Sequence, residues 1–595
     1  MELAPLLPAL LPVPFLLVTC IALLSRNGRN AWLSYLGMFA GLVTLSLAVL
    51  VWPSTEVSRT AWEWFTVGPL SVSWTVLLDP LSLTLAALVG GIGAFVFLYS
   101  GGYLEKREDL KRYYALLALF AASMVAAVTA GDLVQLLFAW EIIGVTSFLL
   151  IGFWHHKESA VRAARKALLT ILVGDTALIG GILALAVHYR TTDILTILTL
   201  AQPDTITLLA GIGILIGAMS KSAQFPLHDW LPDAMEGPTP VSAFLHSATM
   251  VKAGLFLVAR MLPLLLLVGL GPWIVLVAII TMLLAATLAL VETDVKRVLA
   301  YSTMNHLAII LLALGLGATA AALTHIVMHS IVKAMLFFVA GVLIHRYATQ
   351  DITQMHAQKW SLVAVCALFG AAALAGIPPL AAALSKDAVL EVALATGDTT
   401  LVITLAIALV LGAAYLVRWY LLIVTPASTS TSVHTKHHPT DARMLIPLPF
   451  LLVGAVCGGF AIPLLHELGI ASELHIGWGI ALSLLFALTG GLLAWAAVRS
   501  KLLDWLSCSV IAHAARVRFL IDELGVWLAT GVGRLASAVW SFDDKRVNRT
   551  VRGVGNVTVS VAERLRHTVT GRITTYALAV LLGAFGLIFL LRWSP

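Results

Sequence analysis

Glu141, Lys221, His246, His325, His329, Lys333 and Lys386 are ionisable side chains set in stretches of apolar sequence. In hydrocarbon such a group costs about 3 kcal/mol or more, so each needs a partner, a water path or a function. Glu141 follows Trp140 in LLFAWEIIGVTSFLLIGF and reads as a buried carboxylate, the alternative being a boundary position near the turn at Gly131. Lys221 stands between GIGILIGAMS and the proline-interrupted SAQFPLHDWLPDA, which places it at a helix break facing a cavity; a lysine snorkelling to the interface is the bland alternative. A desolvated lysine near a carboxylate can load and release one proton as its partner moves. His325, His329 and Lys333 are four residues apart in THIVMHSIVKAMLFF and stack on one helical face. Two histidines so spaced would suit a metal, but no third ligand lies on this stretch, and a proton wire through imidazoles is the simpler reading. His246, in PVSAFLHSATMVKAG, reads equally well as a hydrogen-bonded core histidine.

Lys386 and Asp387 follow AGIPPLAAAL, and neighbours on a helix diverge by about 100°, so they address different partners. Lys386 fits an exit-side proton carrier, and Asp387 a helix-start or ion-pair group. Asp175, in LLTILVGDTALIGG, needs a partner, either Lys166 or a group on a neighbouring subunit. Lys252 is also in apolar sequence and suggests no role.

The elements that must hold these residues follow from composition. The chain has 595 residues, 60% hydrophobic and 11% charged, with a mean hydropathy of +0.96. Apolar runs long enough to cross a bilayer recur from Leu6 to Leu591, which predicts an all-α polytopic membrane protein with about sixteen spans. The runs group as N-terminal helices over 1–112, two five-helix blocks over 113–263 and 272–424, further spans over 446–498 and a final anchor over 574–592. Breaks with prolines fall near 205–240 and 361–396, and Lys221 and Lys386 sit at them about 165 residues apart, the pattern of inverted repeats with a midplane site. Arg26, Arg29, Lys106 to Arg112, Lys157 to Lys166, Lys296, Arg297, Arg346, Lys436, Arg443, Arg499 and Lys501 fall in alternate loops, which sets those loops in the cytoplasm and the N-terminus outside. The loop with Asp229, Asp233 and Glu236 is the exception. Of the net charge of +6, +5 arises between Lys501 and Arg572, a local membrane-face segment and not a nucleic-acid surface. Residues 511–570 repeat apolar positions every three or four residues among charges, the mark of an amphipathic helix too polar to cross, with Gly525, Gly531, Gly533, Gly553 and Gly555 as expected breaks. Cys20, Cys366, Cys457 and Cys508 lie too far apart in sequence for an iron–sulfur or zinc motif, and no glycine-rich string has a nucleotide-binding context.

The strings WEIIGVTSFLLIGFW, KSAQFPLHDWLPDAMEGPTPVSAFLHSATMVKAG, DVKRVLAYSTMNHLAII, THIVMHSIVKAMLFF and LSKDAVL resemble the antiporter-like subunits of respiratory complex I, the NADH-quinone oxidoreductase, over almost the whole chain. The amphipathic segment followed by TGRITTYALAVLLGAFG resembles the L-type subunits, whose lateral helix runs along neighbouring pump subunits. The resemblance implies that Glu141 and Lys221 form an input pair, that His246, His325, His329 and Lys333 form a central hydrophilic axis, that Lys386 serves the outlet, and that Asp175 faces the adjacent subunit. It implies a proton-translocating subunit in a bacterial-type cytoplasmic membrane, with H⁺ or Na⁺ as the moving ion. No metal or redox cofactor would sit on this chain; its partners would be other antiporter-like membrane subunits, a separate redox module that reduces quinone, and the lipid bilayer. Leu172 stands where L-type subunits commonly carry arginine and Lys252 where they carry threonine, while MVKAG and FWHHKES are nearer to the A subunit of Mrp-type cation/proton antiporters. An Mrp-type or membrane-bound hydrogenase-type subunit is therefore the alternative. A scaffold that has lost transport would have no reason to keep so many costly buried groups.

Overall fold

The computed structural model describes residues 8–25, 31–52, 57–68, 70–104, 109–355, 357, 361–425, 440–471, 478–500, 521–568 and 571–592. Two units separate, Met1–Phe519 and Leu520–Pro595. The loop charges Arg26, Arg29, Lys106, Lys436 and Lys501, and the first ten residues of the expected amphipathic segment, lie outside the described residues.

The first unit opens with α1 (Val13–Leu24) and α2 (Leu33–Leu50), then an antiparallel hairpin of β1 (Ser58–Val67) and β2 (Leu70–Leu78). Its register pairs Ser58 with Leu78 and Trp62 with Trp74. This hairpin departs from the all-helical expectation. Its side chains alternate at period two, as in TAWEWF and LSVSWTV, but that alternation is hard to see against so apolar a background. Trp64 packs edge-on to Trp74 and to Phe138, and Leu77 N–H donates to the Thr129 carbonyl (2.9 Å), so the hairpin closes one end of the bundle.

The bundle continues through α3 (Pro80–Tyr103), α4 (Leu110–Val128), α5 (Leu133–Ile151), α6 (Glu158–Tyr189), the short α7 (Ile194–Leu200), α8 (Thr205–Lys221), α9 (Trp230–Asp233), α10 (Thr239–Ser247), α11 (Met250–Arg260), α12 (Leu262–Leu267) and α13 (Gly271–Val291). After these come α14 (Val295–Gly315), α15 (Thr319–Tyr347), α16 (Leu362–Ala375), α17 (Ala381–Ala395), α18 (Thr399–Val424), α19 (Ala442–Leu445), α20 (Pro447–Cys457), α21 (Ile462–Glu467) and α22 (Trp478–Arg499). Apolar runs take this form because hydrocarbon offers no partner to a free backbone group. Aspartates start many of the helices: Asp79, Asp132, Asp193, Asp204, Asp294 and Asp398 each accept a first-turn backbone N–H. Among the described residues of both units, thirteen helical segments are long and apolar enough to cross a membrane, and Pro8–Leu24, Thr205–Lys221 and Leu362–Ala375 are shorter apolar ones.

Asp132 forms an isolated antiparallel bridge with Asp193, and Asp294 forms the same bridge with Asp351. Between Asp193 and Asp294 the chain crosses three times, through α8, α10–α11 and α13, so these matching bridges fall at opposite ends of the bundle. The expected break near 205–240 is the non-helical stretch after α8, and that near 361–396 is the gap between α16 and α17. A third interruption separates α10 from α11 at Ala248–Thr249.

In the second unit α23 (Ile521–Phe542), a π-turn over Asp543–Val547 and α24 (Asn548–Thr568) follow one another without a gap, and α25 (Ile573–Arg592) is the apolar anchor. The helix runs straight through Gly525, Gly531, Gly533, Gly553 and Gly555, where breaks were expected. A helical glycine costs only about 1 kcal/mol relative to alanine, which neighbouring turns absorb. The irregularity lies instead in the π-turn. Val539, Phe542, Val547, Val551, Val554, Val561 and Leu565 are exposed apolar side chains along this helix.

Candidate functional site

Trp140 joins the first cluster, on α5, α6 and α8. Its indole Nε1–H donates to Asp175 Oδ1 (2.7 Å), its carbonyl accepts from Lys221 Nζ (2.5 Å), and the same ammonium lies 4.6 Å from the centre of its ring, a favourable cation–π placement. Gly144, one turn further on α5, leaves the space where lysine and aspartate approach: a Cβ there would sit 3.4 Å from Lys221 Nζ and 4.0 Å from Asp175 Oδ2. Lys221 and Asp175 are buried. Glu141 is half-buried, its Oε1 has no hydrogen-bond partner, and it acts through space on both Lys221 and Asp175. The expected Glu141–Lys221 pair thus belongs to a cluster of three ionisable groups, in which Trp140 bridges Lys221 and Asp175. Asp175 does not pair with Lys166, because Lys166 is taken by Asp229 (3.2 Å) and Asp233 (3.0 Å) at the end of α6.

Lysines gather at the helix breaks. Lys252, on the first turn of α11, donates to the Ser247 carbonyl at the end of α10, to Ser330 Oγ and to the Ile326 carbonyl. Lys386 on α17 donates to the Leu374 carbonyl at the end of α16. Each ammonium therefore meets carbonyl oxygens that an interrupted helix leaves unpaired, where the helix dipole also favours a cation. For Lys252, whose position in the chain suggested no role, this is the positional reason. Lys333 on α15 donates to Ser302 Oγ (2.7 Å), which also accepts from Tyr415 Oη (3.0 Å). His246 is buried against Phe337, ring centres 5.6 Å apart. Neither of its nitrogens has a hydrogen-bond partner among the described residues.

His325 and His329 share a face of α15, as their spacing requires, and a third imidazole joins them. His306, from α14, lies with Nδ1 3.1 Å from His325 Nε2 and its ring centre 5.2 Å from that of His329. His325 Nδ1 contacts Ser385 Oγ at 2.8 Å. Sequence reasoning missed His306; the available signal was a histidine in the apolar run following Lys296. Lys296 itself, read as a loop charge, is buried and donates to the Met235 and Gly237 carbonyls. Asp387 is not at a helix start, and among the described residues it forms no ion pair. It lies in the middle of α17 with Oδ1 unpartnered, beside Glu391 and Ser483. It lines a cavity of about 580 Å³ bounded by the start of α15 and the far half of α17.

Ion pairs settle the ends of the bundle. Glu236 accepts from Lys157 Nζ (2.6 Å) and Ser159 Oγ (2.9 Å), with Arg297 at 4.0 Å. Burial pushes the Glu236 carboxyl up, but Lys157, Ser159 and Arg297 outweigh it and hold the group below the ordinary range. The acidic loop that broke the charge pattern is therefore matched to the basic end of α6. At the other end Asp79 pairs with Arg260 through both carboxylate oxygens; burial again raises, and Arg260 and Ser82 lower, leaving Asp79 below its usual value.

Comparison with known proteins gives a consistent picture. The family described as "NADH:quinone oxidoreductase/Mrp antiporter, TM" matches residues 130–412, and "NADH-Ubiquinone oxidoreductase (complex I), chain 5 N-terminus" matches residues 64–114. The chain is 33% identical over 595 residues to the chloroplastic NAD(P)H-quinone oxidoreductase subunit 5 of Nephroselmis olivacea, covering 92% of this chain and 91% of that protein. With the corresponding protein of Aethionema grandiflorum it is 38% identical over 441 residues, 69% of this chain but only 59% of the relative's length. A chain of the Mrp complex from Dietzia sp. DQ12-45-1b superposes with a TM-score of 0.74 at 26% identity, covering 99% of this chain and 63% of that one. The fold also resembles a chain of an archaeal membrane-bound sulfane sulfur reductase, with a TM-score of 0.68 at 19% identity over 82% of this chain and 99% of that one. The chain belongs to the family of NAD(P)H-quinone oxidoreductase subunit 5, within the wider NADH:quinone oxidoreductase/Mrp antiporter group.

Proposed function

We propose that this chain is the L-type proton-translocating subunit of a complex I-type quinone oxidoreductase in a bacterial-type cytoplasmic membrane, with its N-terminus outside. Protons pass from the Glu141–Lys221–Asp175 cluster along the Lys252, Lys333 and histidine groups to Lys386, while quinone is reduced in other subunits. In this reading the chain carries no redox cofactor, and its partners are further antiporter-like subunits and a redox module. The observation that carries it is the burial of Lys221, Lys252, Lys333 and Lys386 with three contacting histidines in one body. Structural needs alone would be met more cheaply by apolar side chains. Burial and neighbouring charge tune proton affinity, so a partner moving a few ångströms is enough to drive loading and release.

One pairing favours a second reading, an Mrp-type cation/proton antiporter subunit: the Dietzia Mrp chain aligns along 99% of this one. Purification of the tagged protein in mild detergent, with mass spectrometry of its partners and an assay of donor-linked quinone reduction, separates the two. Co-purifying flavin and iron–sulfur subunits with quinone reduction support the first reading. Recovery of polytopic antiporter subunits alone, without redox activity, overturns it in favour of the second.

A further inference from the structure

A carbonyl gives the hydrogen bonds around His306 one self-consistent set of directions. Ser385 Oγ lies 3.1 Å from the Ala382 carbonyl, which can only accept, and one arrangement of the network places the serine proton there. In that arrangement Ser385 accepts from His325 Nδ1–H (2.8 Å). A neutral imidazole with its proton on Nδ1 has a lone pair on Nε2, and His325 Nε2 accepts from His306 Nδ1–H (3.1 Å). In this arrangement His306 Nε2 is an unprotonated nitrogen, buried and without a hydrogen-bond partner among the described residues. The ring of His329, whose two nitrogens also lack a hydrogen-bond partner among the described residues, is centred 5.2 Å from that of His306. His329 has no hydrogen bond to His325 although both sit on α15; their ring centres are 6.2 Å apart, against 5.2 Å from His329 to His306.

We propose that His306 is the relay between His329 and His325, so that the proton path leaves α15, crosses to α14 and returns. A proton from His329 adds to His306 Nε2 and gives the imidazolium. Loss of the Nδ1 proton to His325 Nε2 restores neutral His306 as the other tautomer, and His325 then carries the charge beside Ser385 Oγ. One proton enters and one leaves, and no redox partner is needed. The charged and titratable groups facing His306 are Lys386 from α17 and His325, His329 and Lys333 from α15. This rests on the proton-transport reading above, and the test separates the two.

The test uses the intact complex, assembled with the full-length chain and reconstituted in liposomes, and reads proton translocation and complex assembly. His306→Gln can still donate an amide hydrogen bond to His325 but cannot pass a proton on; His306→Leu removes both capacities. Lys221→Ala sets the residual level when this subunit's path is cut. The expected result is that the assembled His306→Gln complex falls to the Lys221→Ala level, with His306→Leu no better. Wild-type translocation in His306→Gln, with Lys221→Ala impaired, would overturn the relay and leave the transport reading standing, with His306 only positioning His325. Full translocation in Lys221→Ala would overturn the transport reading and the relay with it. If His306→Leu fails to assemble, His306→Gln decides.

Discussion

Arg260 and Asp79 show what a single buried charge demands. Both are largely buried, at 6% and 15% side-chain exposure, and they are joined by two hydrogen bonds. Arg260→Met leaves the Asp79 carboxylate unpartnered and should destabilise the protein by about 3 kcal/mol, the usual cost of breaking such a pair, read as a lower thermal midpoint in detergent. Glu236 gives a pH signature. Its folded-state carboxyl is held below the ordinary 4.5, so its stabilising contribution is complete above that pH and is lost as pH falls through the lowered value. The midpoint difference between wild type and Glu236→Gln should therefore be constant near neutrality and close below about pH 4.5. Legibility at this scale followed contrast. Lys221, Glu141 and Lys386 stood out because charge in an apolar run is rare, whereas Lys296 beside Arg297 looked like an ordinary loop charge, and His306 had no spaced partner on its own helix. Asp175 was recognised as needing a partner, but that partner, Trp140, lies on another helix, and no spacing reveals that.

Close helix contact positions the lysines, and glycines make it possible. A Cβ on Gly254 of α11 would come within 2.9 Å of Ser222 Cβ and 3.0 Å of Ser222 N, just beyond the end of α8. Gly254→Ala should force α8 and α11 apart at a cost of about 1–3 kcal/mol and lower transport by displacing Lys221, measured as thermal midpoint and proton translocation together. Gly91→Ala is the control: its Cβ would meet only Leu45 Cδ2 at 3.6 Å, so it should be neutral or stabilising by about 0.5–1 kcal/mol through helix propensity. Helices were legible from apolar length, and the breaks from proline and polar clusters. The break at Ala248–Thr249 was not, since PVSAFLHSATMVKAG contains no internal glycine or proline near it. It is sustained by Lys252, which satisfies the freed Ser247 carbonyl, and by Thr249 Oγ1, which adds a second bond (2.8 Å) to the Phe244 carbonyl beside that from Ala248 N–H.

Taken whole, the molecule divides into a packed bundle and a separate C-terminal unit. Truncation before Leu520 should leave the bundle folded with a nearly unchanged thermal midpoint but reduce recovery of partner subunits on purification, because the apolar side chains of α23 and α24 go with the deleted piece. The π-turn inside that piece has a further consequence. Apolar positions step by three or four residues along the helix, from Val539 to Phe542 and from Val547 to Val551 and Val554, but by five from Phe542 to Val547. In an unbroken α-helix that surplus residue would swing everything downstream by about 100°; a π-turn swallows it. The sequence is thus written in two phases and read as one, and a scan of polar substitutions along it should show a sensitivity wave whose beat slips by a single residue at Asp543–Val547.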